Sequence, residues 1–217
     1  MACVNIIVAA TPTGGIGMDG KLPWELPGDM AYFREVTMRT KREGTRNAVV
    51  MGRKTWASIP AKFRPLKGRI NLVLSSSSDE SALRAAEGIP AEVLVSSSLA
   101  GAMSALSSVP DLASIFVIGG ASAFSEALSG ITGIICDTVY LTRVLVEKSC
   151  DVFIPPLDDS KYALDELQVS CHSFLEHRQY MNLIAQFFTL LCLSSSVAPP
   201  PYPPFPTITR VAAQTSA

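Results

Sequence analysis

Asp29 stands one helical turn before Phe33, so a carboxylate and an aromatic ring share a helix face. Leu22, Trp24 and Met30 would surround that acid with apolar groups. A carboxylate in such a pocket can grip a polar heterocycle through two charge-assisted hydrogen bonds. Alone, Asp29 also reads as an acid in a first helical turn, where it stabilises the helix dipole by ~0.3–1 kcal/mol. Two further places suit anions. In Gly52-Arg53-Lys54-Thr55, free backbone N–H groups and two adjacent cations could take a phosphate on a ribose, or simply be solvated charges. Ile118-Gly119-Gly120-Ala121-Ser122 repeats the arrangement without the cations; its backbone could lie against a pyrophosphate or form a plain strand-to-helix turn. Gly14-Gly15-Ile16-Gly17 allows a sharp turn and close approach to a ligand, although a surface turn explains it too.

The elements that must position these residues alternate strand and helix signals, an α/β pattern. Strands are expected over Val4–Ala10, Ala48–Met51, Arg69–Ser75, Ala91–Val95, Ile115–Ile118 and Thr138–Val146. The first is a continuous apolar run, as a strand buried on both faces requires. A helix opens at Pro27 and carries Met30, Phe33 and Val36/Thr37 at helical spacing; another spans Ser98–Ser108 behind a Ser98 cap; a short one runs through Phe124 and Leu128. Three parts follow from the patterning: residues 1–175 as one domain, 176–193 as an apolar segment readable as strand or helix, and 194–217 as a Pro-, Ser- and Ala-rich tail unable to form a packed core.

The chain has 217 residues, 48% of them apolar, enough for a single buried core. With Lys plus Arg 18 and Asp plus Glu 19, the net charge of -1 excludes a strongly basic nucleic-acid wrapper and an acidic tail. No apolar run reaches the ~18 residues of a membrane helix, and the first residues show no basic leader. Cys3, Cys136, Cys150, Cys171 and Cys192 form no C-x-x-C pair, against a disulfide framework and a zinc site; with only His172 and His177, a His-based metal site or triad is not expected. These features suit reduced thiols in a cytoplasmic protein with no membrane, metal or nucleic acid as a main partner.

In this order the motifs are specific. Gly15-Ile16-Gly17, Leu22-Pro23-Trp24, Met51 to Trp56, Phe63 to Arg69, Ile118-Gly119-Gly120, Thr142-Arg143 and Cys150 to Pro155 resemble dihydrofolate reductase, across roughly residues 4 to 157. The resemblance implies a mixed, mostly parallel sheet flanked by helices, and NADPH-dependent reduction of 7,8-dihydrofolate to tetrahydrofolate, inhibited by antifolates. It implies that Asp29 holds the pterin ring, that Thr142 supports the same end through a hydrogen bond, and that Leu22 and Trp24 complete the catalytic set. Substrate would lie against Ile7, Val8, Ala9, Met30, Phe33, Ser58, Ile59, Leu66 and Ile118, with Arg69 pairing the α-carboxylate of its glutamate tail. NADPH would take Ala9, Ile16, Gly17 and Gly20 from the first loop. Gly52, Arg53, Lys54, Thr55, Ser75 and Ser76 would serve its adenosine phosphates. Gly119, Gly120, Ala121, Ser122 and Phe124 would serve the pyrophosphate end. Gly14 to Leu22 would form a mobile loop over the nicotinamide, and the Gly119–Gly120 bond would be cis. No side chain reaches pterin N5 directly, so Asp29 would polarise the ring while a water delivers the proton.

Three departures bear on these expectations. Ser76 stands where many relatives carry an Arg, Phe124 where a Tyr is frequent, and the C-terminal end does not match the family's closing hairpin. Glu176 to Ile184 instead resembles the opening of thymidylate synthase, which several protists and plants fuse to the reductase. A catalytically impaired or unstable fragment of a fused enzyme is therefore the alternative to a working reductase. For a working enzyme, Gln186 to Cys192 has the β-propensity and length to close the sheet.

Overall fold

The computed structural model describes residues 2–145, 148–158, 160–171 and 184–192. Along the chain run β1 (Ala2–Ala10), β2 (Gly15–Gly17), α1 (Pro27–Met38), β3 (Arg46–Gly52), α2 (Arg53–Ser58), β4 (Ile70–Leu74), α3 (Glu80–Glu87), β5 (Leu94–Ser96), α4 (Leu99–Ser107), β6 (Leu112–Gly119), α5 (Ala121–Ser129), β7 (Ile134–Val144), β8 (Val152–Phe153), β9 (Tyr162–Cys171) and β10 (Ile184–Cys192). Eight strands form one sheet in the order β5-β4-β3-β6-β1-β7-β10-β9. The first six are mutually parallel; β10 runs antiparallel to β7, and β9 antiparallel to β10.

Alternation along the strands splits their side chains between two cores. Ile6, Val50, Leu72, Val117 and Val139 face a cluster that includes Leu99, Leu106 and Phe124 from α4 and α5. Their neighbours Ile7, Val49, Val73, Phe116 and Tyr140 face the other way, toward Tyr32 and Val36 of α1, Trp56 of α2 and Leu83 of α3. Covering both faces explains the unbroken apolar runs of the central strands. The reductase-like sheet expected from the sequence is thus present.

The helices carry the signals that set their limits. Pro27 lies in the first turn of α1, and Ser98 caps α4 by accepting from Gly101 N. The structure adds α3, for which the apolar pattern gave no expectation because only Leu83 is buried. Its ends are nonetheless marked: Asp79 accepts from Ala82 N, and Gly88 closes it in the left-handed conformation. β6 and β7 begin earlier than expected, at Leu112 and Ile134, and β5 begins later, at Leu94.

β10 fills the flank of β7, with Phe187 opposite Thr142 and Leu190 opposite Val139. It contains the stretch expected to close the sheet. Residues 172–183, which hold most of the synthase-like stretch, and the tail 194–217 lie outside the described residues. Removing β10 would leave β7 with an unpaired apolar edge, a template for aggregation. Deleting residues 195–217 should leave the melting temperature nearly unchanged, while deleting 184–217 should give insoluble or inactive protein; sedimentation and thermal melts distinguish these outcomes.

Candidate active site

Two strand ends meet at a point where the topology reverses. The chain leaves β3 toward β4 and leaves its neighbour β6 toward β7, in opposite directions across the sheet. In open α/β sheets such a point opens a crevice beyond the carboxyl ends of the strands. Here those ends are Gly52 and Gly119. A Cβ added to Gly52 would lie 3.6 Å from Gly120 N. One added to Gly119 would lie 2.9 Å from Thr55 Oγ1 and 3.1 Å from Thr55 Cγ2, and the Gly119 φ of +145° is itself a glycine conformation. The Gly119–Gly120 bond is cis. No side chain caps the start of α5, at Gly120. Backbone, not side chain, therefore forms the floor of the crevice, and Ala121 and Ser122 open the helix beside it.

Cations flank that floor. Arg53 and Lys54 begin α2 and are exposed, with Arg53 Nη1 2.6 Å from Glu87 Oε1. Lys54 has no ion pair among the described residues. Ser75 follows β4 and donates its backbone N–H to Ser96 O, with exposed Ser76 next to it.

On the sheet face that holds α1, Asp29, Phe33 and Thr37 recur every fourth residue and form one stripe. Asp29 is partly buried and accepts a hydrogen bond from the Thr142 hydroxyl of β7. Burial pushes its carboxyl up from the ordinary range, and the Thr142 bond opposes that rise only in part. Thr142 is 1% exposed, lying between Ala9 of β1 and Phe187 of β10 in register. Trp24 is also buried, and its Nε1 has no hydrogen-bond acceptor among the described residues. Phe33, Ile59, Leu66 and Ile118 pack on the cluster containing Ile7, making one apolar wall, while Leu22 and Met30 are half-exposed at 51% and 55%.

Arg69 is tied down at the far end of the α1 stripe. Its Nη1 donates to Thr37 Oγ1 at 2.9 Å, and the Thr37 hydroxyl donates to Phe33 O at 2.7 Å. Its Nε donates to Lys67 O, and its guanidinium lies 5.8 Å from the Phe33 ring centre. Burial, with the Arg34 charge as a second cause, lowers its pKa to about 10, so it stays cationic at neutral pH. Neither Arg69 nor Arg34 has an ion-pair partner among the described residues. Sequence reasoning passed over Thr37, Arg34 and Glu87. The i, i+4, i+8 spacing from Asp29 could have found Thr37.

The loop after β1 is hydrogen-bonded to β8 and Asp151. β2 pairs with β8, Asp151 N donates to Gly17 O at 3.0 Å, and Asp19 N donates to Asp151 Oδ2 at 3.1 Å. Gly15 also donates its N–H to Thr11 Oγ1. Only glycine fits there, since a Cβ would stand 2.5 Å from Cys150 Sγ. Not every expected site residue reaches the crevice side. Val8 and Phe124 are buried in the cluster on the opposite sheet face, and Ile16 packs against that cluster. Ser58 is exposed and donates its hydroxyl to Thr55 O. Gly20, at φ +70°, lies with open space around it.

A parallel sheet whose reversal point is floored by glycine backbone, with a partly buried carboxylate and a fixed guanidinium on one sheet face, forms a crevice suited to a ligand. The model of the dihydrofolate reductase family matches residues 3–182, and the chain belongs to that family. It is 38% identical over 167 residues to a dihydrofolate reductase of Heliothis virescens, covering 76% of this chain and 86% of the relative. It is 44% identical over 157 residues to a bifunctional dihydrofolate reductase-thymidylate synthase of Glycine max, covering 71% of this chain. The match spans 28% of that bifunctional relative's length. β10 lies beyond the family match.

Two outcomes follow from this geometry. Gly119→Ala must push Thr55 aside in a backbone conformation that alanine resists, and should cost about 1–3 kcal/mol by chemical denaturation. Asp29→Asn should stabilise the ligand-free protein. A folded-state pKa raised above the ordinary carboxylate value of 3.8 gives stability that is full below that value and lost as pH rises through the folded one. The Asn variant should therefore melt above the parent at neutral pH, with the gap closing as pH falls through the raised folded-state value toward 3.8.

Proposed function

We propose that this chain reduces 7,8-dihydrofolate to 5,6,7,8-tetrahydrofolate with NADPH, feeding one-carbon metabolism and thymidylate synthesis. The observation that carries this reading is Asp29, buried in part and hydrogen-bonded by Thr142, on the same stripe as Phe33 and the Arg69 anchor. A bicyclic, amide-edged ring with an anionic tail fits such a stripe: acid at one end, aromatic in the middle, guanidinium at the other. Asp29 pairs with the pterin edge, Thr142 fixes that carboxyl, and Phe33, Ile59, Leu66 and Ile118 hold the ring and benzoyl group. Arg69, without an acid partner among the described residues and pre-oriented by Thr37, takes the tail carboxylate. Antifolates of similar shape would occupy the same stripe.

The cofactor also fits the residues present. Side chains at Gly119, and to a lesser degree Gly52, would fill the space where a pyrophosphate must approach backbone. Gly119, Gly120, Ala121 and Ser122 would hold that group, and Arg53, Lys54, Thr55, Ser75 and Ser76 the adenosine phosphates. When bound, NADPH supplies the hydride that reduces pterin C6. Protonation at N5 falls to a water, with Asp29 polarising the ring. Trp24 Nε1, a buried donor without an acceptor among the described residues, is placed to hold a water or a substrate atom. The apolar wall excludes bulk water and strengthens the field of the Asp29 carboxylate. Cys3 and Cys150 carry free thiols, and a reducing cytoplasm is the compartment this reading assigns.

Asp29→Asn should lower turnover with dihydrofolate by at least ~10²-fold at neutral pH. The loss should lessen under acidic conditions, where substrate arrives already protonated. NADPH oxidation followed at 340 nm, in the range of about pH 5–8, measures both. Parent-like turnover by the Asn variant would remove Asp29 from the mechanism. A folded parent without NADPH oxidation would favour the impaired-fragment alternative.

A further inference from the structure

Glu87 holds a position that the catalytic reading leaves unexplained. It ends α3, where the helix dipole disfavours an acid. Its Oε1 lies 2.6 Å from Arg53 Nη1, and its side chain is 17% exposed while that of Arg53 is 47% exposed. The residue is pinned from behind as well, since its main-chain carbonyl accepts from Nε1 of the fully buried Trp56. The fixed partner is therefore the acid, and the guanidinium is the group that leans toward it. Arg53 directly follows Gly52, where an added Cβ would stand 3.6 Å from Gly120 N at the crevice floor. One of the two cations beside the proposed phosphate site is thus already engaged by a carboxylate. Lys54 is left as the uncommitted charge, and Ser75, Ser76, Ser77 and Ser78 add hydroxyls but no cation.

We propose that Glu87 is a specificity-determining residue, which competes with a 2′-phosphate for Arg53 and so limits discrimination between 2′-phosphorylated and unphosphorylated dinucleotides. The inference rests on the reading of Arg53 as part of the adenosine-phosphate site. A phosphate entering there must take over the guanidinium from Glu87 or share it, and must tolerate the carboxylate nearby. Either way part of its attraction is offset. The adenine and 5′-phosphate ends are unaffected, because among the described residues Glu87 is tied to the site through Arg53.

Calorimetric titration of the full chain with adenosine 2′,5′-bisphosphate and with adenosine 5′-monophosphate tests this without turnover. Glu87→Gln keeps the shape and the main-chain bond to Trp56 while removing the charge. It should bind the bisphosphate roughly three- to ten-fold tighter than the parent, with the monophosphate unchanged. Glu87→Asp keeps the charge but draws it back, and should fall between the two. Arg53→Ala should weaken the bisphosphate selectively. If Arg53→Ala lowers the bisphosphate preference but neither Glu87 variant raises it, the competition is refuted and the phosphate site stands. If Arg53→Ala also leaves the preference unchanged, the placement of the 2′-phosphate at Arg53 falls, and the role of Glu87 with it.

Discussion

The hydrogen bond from Thr142 to Asp29 joins the two halves of the site, and much of the fold exists to make it. Its donor stands in a strand interior, where the hydroxyl is held at 1% exposure and the backbone is paired on both sides. Its acceptor must come from a helix laid across that strand's face, which α1 achieves by burying Tyr32 and Val36. The bond does not make the acid comfortable. Burial still holds the Asp29 carboxyl above its ordinary range, so the molecule retains an ionisable group at some expense to stability. Such an expense is ordinary at a site and rare elsewhere in a core.

The two ends of the crevice handle charge differently. Around Arg69, neither it nor Arg34 has an acid partner among the described residues, and burial first, then the Arg34 charge, lowers the Arg69 pKa to about 10. That arrangement is costly unless an anion arrives. Around Arg53, the charge is already balanced by Glu87. A fixed, unpaired guanidinium reads as a site awaiting its carboxylate, whereas a paired, half-solvated one reads as a site whose attraction has been moderated.

The strands of the sheet centre were legible because burial on both faces leaves nothing but apolar residues to write them with, as in Val49, Val50 and Met51. The glycine turns were legible as candidates, and the resemblance gave them roles that spacing alone could not. Other features were hidden for physical reasons. α3 buries one residue, so its stripe is too thin to see, although Asp79 and Gly88 mark its ends. β2 and β8 are three and two residues long and exist through their pairing, not through propensity. Alternation decides that Ile7 and Val8 face opposite cores, which a continuous apolar run conceals. The Glu87 partnership spans 34 positions and leaves no trace in either local pattern.

The register of β10 also bears on how the protein is made. Six parallel strands, ending with β7 at Val144, are complete before the first residue of β10, Ile184, has been translated. The 39 intervening residues take a ribosome roughly 2–8 s to add at about 5–20 residues per second. Throughout that interval the nascent sheet presents one side of β7 with no strand from its own chain to receive. On a polysome, a β10 segment emerging from a neighbouring chain would meet the same row of backbone groups in the same register. Strand exchange between nascent chains, rather than misfolding within one, is the assembly error this order of synthesis invites.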